Sequence, residues 1–475
     1  MNLAQIKFGT DGWRSIIAED FTFDNVRVVA QAIADYINDT PKSGEGVVVG
    51  YDNRFLSERF AEAVAEVLTG NGIPVYLPHG AVPTPVAAYT IKHLKARGAV
   101  MLTASHNPPE YHGIKFIPEF AGPALPEETE KIEVNVNAVI VSGIINRMNR
   151  LQAEKSNLWR TVNPLPDYTR HLLSLVDGEK IKNKCLKVII DPLYGAGIGY
   201  VENVLKSLGC QTQAIHNYRD PLFGGGMPDP SEKNLSELRE KVLETGADLG
   251  IALDGDADRF GIIDKTGKFF TPNEILSLLL EHLLKNRKES GLVARTCATT
   301  HMLDKIAAGY GLEVQETKVG FKYIGQKLLH SNALLGGEES GGMSIRGHVP
   351  EKDGILGACL VIELLTASGM SLTQVQEQLY HKYGTIVSTR LDVEVEEEDK
   401  VRVLEELKDF YPSTLDSQPV TKKVAIDGTK LVAQDGSWVL IRPSGTEPIF
   451  RVYAEAGSPE QLGRIQEQVR KELRI

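Results

Sequence analysis

VVVGYDNRFLSERFAEAVAEVLTGNGIPVYL, residues 47–77, opens on the β-branched run Val47-Val-Val-Gly-Tyr51. It passes through an amphipathic stretch around Glu58 to Leu68, turns at Gly72 and closes on Ile73 to Leu77. Apolar spacing switches from strand to helix and back, which marks a βαβ unit with parallel strands. The pattern recurs twice. Val188-Ile-Ile-Asp191 leads through a glycine-rich turn to Val201 to Leu208, Gly209, then Gln211 to Ile215. Leu292 to Arg295 leads to Met302 to Ala308, Gly311, then Leu312 to Glu316. These copies are too far apart for a solenoid. They imply three related α/β domains with mixed, largely parallel sheets.

Downstream the pattern changes. Thr385 to Glu396 alternates apolar and polar residues, a charged helix runs near Asp399 to Phe410, and three short strands follow at Lys430 to Ala433, Trp438 to Arg442 and Phe450 to Ala456. A terminal helix starts at Pro459. That order predicts a C-terminal α+β domain. Boundaries near Leu158, Phe269 and Gly384 give domains of 1–157, 158–268, 269–384 and 385–475.

The composition agrees with several packed cores. Of 475 residues, 42% are hydrophobic and 24% charged, which excludes wholesale disorder. The net charge of −11 argues against a general nucleic-acid partner, while a few arginines in a cleft still allow a small phosphorylated substrate. Four cysteines without a CxxC pair read as reduced, buried thiols rather than a disulfide or zinc framework. The N-terminus lacks the apolar stretch of a secretory signal, and Ile275 to Leu284 is too short to span a bilayer. A cytoplasmic protein, monomer or homodimer, with no membrane partner is expected.

Four motifs could carry chemistry. Asp254-Gly-Asp-Ala-Asp-Arg259 follows the apolar strand Leu249 to Leu253, so it lies at a strand's carboxyl end, where open α/β sheets bind ligands. Three carboxylates in that spacing repel one another unless a cation neutralises them, and hard oxygen ligands favour Mg²⁺ or Ca²⁺. An EF-hand loop would need Gly and Glu where Arg259 and Lys265 stand. Thr103-Ala-Ser-His-Asn-Pro108 also follows a strand; it is either a polar turn or a loop presenting Ser105 as nucleophile or phosphorylation site, with Lys115 nearby as cation or base. Arg442-Pro-Ser-Gly-Thr-Glu-Pro448 is either a hairpin turn or an anion cradle, with a forked arginine, two hydroxyls and a glycine that lets backbone N–H groups approach. Gly337-Glu-Glu-Ser-Gly-Gly342 is either an acidic turn or a sugar-hydroxyl reader. Phe8-Gly-Thr-Asp-Gly-Trp-Arg14 supplies another arginine. Gly195-Ala-Gly-Ile-Gly199 has GxGxG rather than dinucleotide spacing, and no Walker-type loop occurs.

Taken in order, serine loop, triple-aspartate loop, acidic glycine loop and arginine-serine-glycine-threonine loop resemble the α-D-phosphohexomutase superfamily over essentially the whole chain. The resemblance implies four domains around a central cleft, each giving one loop. It implies that Ser105 is the phosphorylated serine and that Asp254, Asp256 and Asp258 hold Mg²⁺ together with a phosphoserine oxygen. His106, Arg259 and Arg14 would surround the transferring phosphoryl group, with Lys115 as general base. Glu338 and Ser340 would read the sugar, and Arg442, Ser444, Gly445 and Thr446 would clamp the phosphate not being transferred.

Gly320-Phe-Lys322, the Glu339 of the acidic loop and Lys352-Asp-Gly354 are similar to glucose-type phosphoglucomutases, which adds Lys322 and Lys352 to the substrate-binding set. Phe321 and Gly342 stand where phosphomannomutase-type relatives carry histidines. The expectation is interconversion of glucose 1-phosphate and glucose 6-phosphate, with glucose 1,6-bisphosphate as intermediate and activator. Mannose or dual specificity, and a glucose 1,6-bisphosphate synthase on the same scaffold, are the alternatives.

Overall fold

The computed structural model describes residues 6–9, 12–40, 44–443 and 449–474. They form two compact units, one of 1–271 with 340–371 and one of 272–339 with 372–475.

The first unit holds two sheets. Strands β1 (Trp13–Ile16), β2 (Val47–Tyr51), β3 (Val75–Pro78), β4 (Gly98–Leu102), β5 (Tyr111–Pro118) and β6 (Trp159–Val162) lie in the order β1-β5-β4-β2-β3-β6. β2 is parallel to both β3 and β4, while β5 turns back antiparallel to β4. Val47 to Val49 are fully buried, as a parallel strand covered on both faces requires. Helix Ser57–Gly70 buries Phe60, Ala61, Val64, Val67 and Leu68, one helical stripe, in the same core as Val47, Val75 and Val100.

In the second sheet, β7 (Lys187–Asp191), β8 (Gln211–Ala214), β9 (Leu249–Leu253), β10 (Phe260–Asp264) and β11 (Phe269–Phe270) lie in the order β11-β10-β9-β7-β8. Here too the first strand is central and parallel to the next two, and the fourth returns antiparallel.

The second unit repeats the arrangement a third time. β12 (Val293–Thr296) is parallel to β13 (Val314–Thr317) on one side and β14 (Leu335–Gly337) on the other. The chain then returns to the first unit through β15 (Met343–Ile345) and helix Gly354–Ser368.

The C-terminal sheet is antiparallel throughout: β16 (Val387–Glu394), β17 (Thr414–Leu415), β18 (Gln418–Val424), β19 (Thr429–Ala433), β20 (Trp438–Pro443) and β21 (Ile449–Ala456), in the order β16-β21-β20-β19-β18-β17. Helices Glu397–Asp409 and Pro459–Leu473 cover one face through Val403, Leu407, Leu462, Ile465 and Val469. Trp438, Leu440 and Tyr453 on the other face pack with Cys297 and Ala298, just past β12.

The fold is therefore three related α/β domains with mixed sheets and a C-terminal α+β domain. Some sequence expectations differ from it in detail. Residues 159–162, read as the start of the second domain, form β6 beside β3, because Trp159 is buried in the first core. Residues 340–371 are grouped with the first unit. Helix Gly354–Ser368 is buried from Gly354 to Thr366, and its Glu363 accepts from Asp177 N at 3.1 Å. β17 and β18 escape a hydrophobic-pattern reading because Thr421, Lys422 and Lys423 make β18 polar. Cys185 is exposed rather than buried; the other three cysteines are buried, and all four are unpaired. No single described helix is long and apolar enough to cross a membrane.

Candidate active site

Within the first unit, the loops that follow β4 and β9 meet. Ser105 lies in the turn between β4 and β5 with φ +50°, a left-handed conformation costly for a side chain with a Cβ. Its N–H donates to Thr103 Oγ1 at 2.8 Å, and its Oγ donates to Asp254 Oδ2 at 2.9 Å. His106 Nδ1 lies 3.3 Å from the same Oγ. Arg14 reaches this loop through Nη1, which donates to Asn107 Oδ1 at 2.6 Å.

Asp254, Asp256 and Asp258 occupy the connection between β9 and β10, all at 1% exposure or less. Each offers a carboxylate oxygen within 4.8 Å of the others. Lys115, on β5, places Nζ 3.0 Å from Asp256 Oδ2 and 3.7 Å from Asp258 Oδ2. Lys352 Nζ is 3.1 Å from Asp258 Oδ2. Lys352 is delivered there by the helix start that follows it: Asp353 Oδ1 accepts from Ile355 N and Leu356 N, and Gly354 N donates to Ala257 O. Arg259 Nε is 3.9 Å from Asp258 Oδ1, and the Arg259 backbone bridges Gly342, two residues past Ser340.

The electrostatics separate these groups. Burial, reinforced by the charges of Asp256 and Asp258, raises the Asp254 carboxyl well above its ordinary range. Burial also pushes Asp256 upward, but Lys115, the Thr84 hydroxyl and Lys352 outweigh it and hold this carboxyl well below the usual value. Thr84 Oγ1 donates to Asp256 Oδ2 at 2.6 Å. His106 is driven well below its normal value by the Arg259 charge, then by burial and Arg14, so its imidazole is neutral at neutral pH.

A divalent cation suits this donor set. Asp256 Oδ1 and Asp258 Oδ1 are buried without a hydrogen-bond partner, a costly arrangement that an ion would relieve. The glycine run at 195–199 packs closely against the aspartate loop. Ala196 N donates to Gly255 O at 2.9 Å, and a Cβ on Gly195 would stand 2.8 Å from that same oxygen.

The remaining sequence-derived residues lie in the second unit, apart from Ser340, which falls in the first. Glu338 Oε1 accepts from Gly320 N at 3.0 Å, fixing the turn that precedes Lys322. Arg442 Nε donates to Asp427 Oδ2 at 2.8 Å, and that oxygen also accepts from Val319 N at 3.1 Å. Ser444, Gly445 and Thr446 lie outside the described residues.

Sequence reading missed Arg54, Thr84, Asn107 and Asp427. Arg54 had a usable signal, since Asp52-Asn-Arg54 directly follows the strand Val47–Tyr51. Thr84 and Asp427 have none.

Comparison with known proteins agrees with this geometry. The four Phosphoglucomutase/phosphomannomutase domains match in order: α/β/α domain I at residues 5–140, domain II at 166–267, domain III at 271–383 and the C-terminal domain at 391–472. A phosphoglucomutase/phosphomannomutase of Thermococcus kodakarensis is 33% identical, covering 96% of this chain and 95% of its own. A phosphoglucosamine/phosphogalactosamine mutase of Sulfurisphaera tokodaii is 32% identical over 98% of both. A crystal structure from Thermus thermophilus attributed to a phosphomannomutase superposes with a TM-score of 0.85 at 33% identity, covering 99% of this chain and 100% of that one. With all four domains matched in order and relatives aligned end to end, the chain belongs to the phosphoglucomutase/phosphomannomutase family of the α-D-phosphohexomutase superfamily and is an isomerase of the phosphohexomutase class.

Proposed function

We propose that this phosphohexomutase interconverts glucose 1-phosphate and glucose 6-phosphate through a phosphoserine at Ser105 and a glucose 1,6-bisphosphate intermediate. The observation that carries the reading is the 2.9 Å contact of Ser105 Oγ with Asp254, inside a buried carboxylate trio. A hydroxyl buried in that setting suits an esterified oxygen that must leave, and binding alone would need no such arrangement.

Asp254, Asp256 and Asp258, with a phosphoserine oxygen, would hold Mg²⁺, which supplies charge neutralisation at the departing serine oxygen when bound. The chain's own residues do the rest. Arg14 and Arg259 offer positive charge to the phosphoryl oxygens, and neutral His106 offers Nδ1 beside Oγ. The sugar hydroxyl forms the new O–P bond as the Ser105 Oγ–P bond breaks, and its proton passes to Lys115. The ion pairs of Lys115 with Asp256 and Asp258 favour its ammonium, so the base form requires those carboxylates to be neutralised first. The bisphosphate then turns round and returns its other phosphate to Ser105.

Recognition of the sugar falls to Lys322, Glu338, Ser340 and Lys352 in this reading, and the distal phosphate to Arg442, Ser444, Gly445 and Thr446. The glucose assignment rests on Lys322 and Glu339, and on Phe321 and Gly342 at the positions of the phosphomannomutase-type histidines.

The test is steady-state kinetics with Mg²⁺ and catalytic glucose 1,6-bisphosphate on glucose, mannose and glucosamine phosphates. The highest kcat/KM is expected on glucose 1-phosphate. Preference for mannose or glucosamine overturns the sugar assignment, and absence of turnover on every sugar overturns the mutase mechanism. Net accumulation of bisphosphate by phosphorus NMR identifies a synthase instead.

A further inference from the structure

We propose that Asn53 and Arg54, in the turn after β2, are positioning residues that hold the serine loop in register with the aspartate loop. This rests on the phosphoserine reading of Ser105. Arg54 is fully buried. Its Nη2 donates to Ser105 O and Asn107 O, both at 2.6 Å, and its Nη1 donates to Pro108 O at 2.8 Å and Tyr111 O at 2.9 Å. One planar fork therefore gathers four carbonyls of a single loop, an arrangement that only guanidinium geometry can satisfy. The carbonyl of Ser105 belongs to the residue held at φ +50°, so the fork restrains the strained peptide itself.

The frame around Arg54 is rigid. Asp52 N donates to Leu102 O at 3.0 Å, tying the turn to the end of β4. Asp52 Oδ2 lies 3.3 Å from Arg54 Nε, and Asp52 Oδ1 accepts from Arg54 N at 3.0 Å and from Ser57 Oγ at 2.8 Å. Gly113 N donates to His112 Nδ1 at 2.8 Å, and His112 Nε2 lies 2.8 Å from Ser57 Oγ. The Phe223 ring lies under the guanidinium with 5.0 Å from Cζ to its centroid.

Asn53 points the other way. Its Nδ2 donates to Tyr194 O at 2.9 Å and Gly195 O at 2.8 Å. That turn in turn holds the aspartate loop, since Ala196 N donates to Gly255 O. Adjacent residues thus grip the loop that carries the leaving oxygen and, through one intermediary, the loop that carries the three carboxylates. Misplacement of either loop by ~1 Å is enough to lower a phosphoryl-transfer rate about 100-fold.

The test compares wild type, Arg54→Lys and Asn53→Ala for kcat, KM, the Mg²⁺ concentration giving half-maximal activity, and melting temperature. Arg54→Lys keeps the charge but not the fork. Its kcat is expected to fall ~100-fold with KM changed less than about threefold. Asn53→Ala is expected to lose about tenfold in kcat and to need several-fold more Mg²⁺, a change that simple loss of folded protein cannot produce. If Arg54→Lys does not fold, Asn53→Ala decides alone. A folded variant with wild-type kcat and Mg²⁺ requirement overturns the positioning role while wild-type turnover leaves the mutase reading intact. A wild type that never carries phosphate on Ser105 overturns that reading, and this assignment with it.

Discussion

Gly255 is where the aspartate loop touches the serine loop, and Gly255→Ala separates them with one methyl group. A Cβ built there would stand 2.5 Å from Ser105 O, 3.1 Å from Pro228 Cγ and 3.4 Å from Pro228 Cβ. The nearest atom is backbone, held from behind by Arg54, so a side-chain rotation cannot relieve the clash. The two loops must part by ~0.5–1 Å, which costs ~1–3 kcal/mol of stability as an overpacked site. The same displacement acts on the 2.9 Å contact between Ser105 Oγ and Asp254 Oδ2. A shift of that size in a phosphoryl-transfer site corresponds to a fall in kcat of ~10–100-fold, with KM nearly unchanged because no sugar contact is altered. The coupled mutase assay gives both constants, and a thermal melt confirms that the variant is folded. Wild-type kcat in a folded Gly255→Ala protein would refute the view that close apposition of these loops sets the rate.

Two further outcomes follow from polar contacts. Asp427→Ala removes the carboxylate that fixes Arg442 and the Val319 amide, so KM for the sugar phosphate is expected to rise about tenfold with little change in kcat, and a fall in kcat with KM unchanged would assign Asp427 to transfer itself. His112 is pushed down to about 3 by burial first and the Arg54 charge second, against 6.5 when unfolded. The stability it contributes is complete above pH 6.5 and is lost as pH falls through that window, by about 2 kcal/mol at pH 5. Melting temperatures between pH 7.5 and 5 are expected to fall less steeply for His112→Gln than for wild type, and parallel slopes would rule His112 out.

Much of this was readable from residue order because the site loops follow strands that are apolar on both faces. Leu249 to Leu253 announces a buried strand, so the three aspartates after it had to lie at its carboxyl end. The same logic placed Ser105 after β4. What remained hidden depends on contacts between distant segments. Thr84 meets Asp256 across 172 residues of sequence, and Asp427 meets Val319 across 108. No local pattern encodes such pairs. Lys352 was named only by resemblance, and its place 3.1 Å from Asp258 is set by where helix Gly354–Ser368 begins. The edge of the first domain was less legible, since β6 joins its sheet through the burial of one tryptophan, Trp159.

The three α/β repeats share more than topology. In each, the first strand sits between the second and third, so the turns after the first and third strands emerge side by side where the strand order reverses, the place at which such sheets bind ligands. In the first repeat, the turn after β2 supplies Arg54, which holds the Ser105 turn after β4. In the second, the turn after β7 supplies Ala196, whose N–H holds Gly255 in the turn after β9. In the third, Thr296 at the end of β12 donates from Oγ1 to Glu339 Oε2 at 3.0 Å, beside Glu338 in the loop after β14. One turn holds its neighbour, three times over with different residues. A repeated fold could therefore diversify the groups after the third strand while keeping the support after the first.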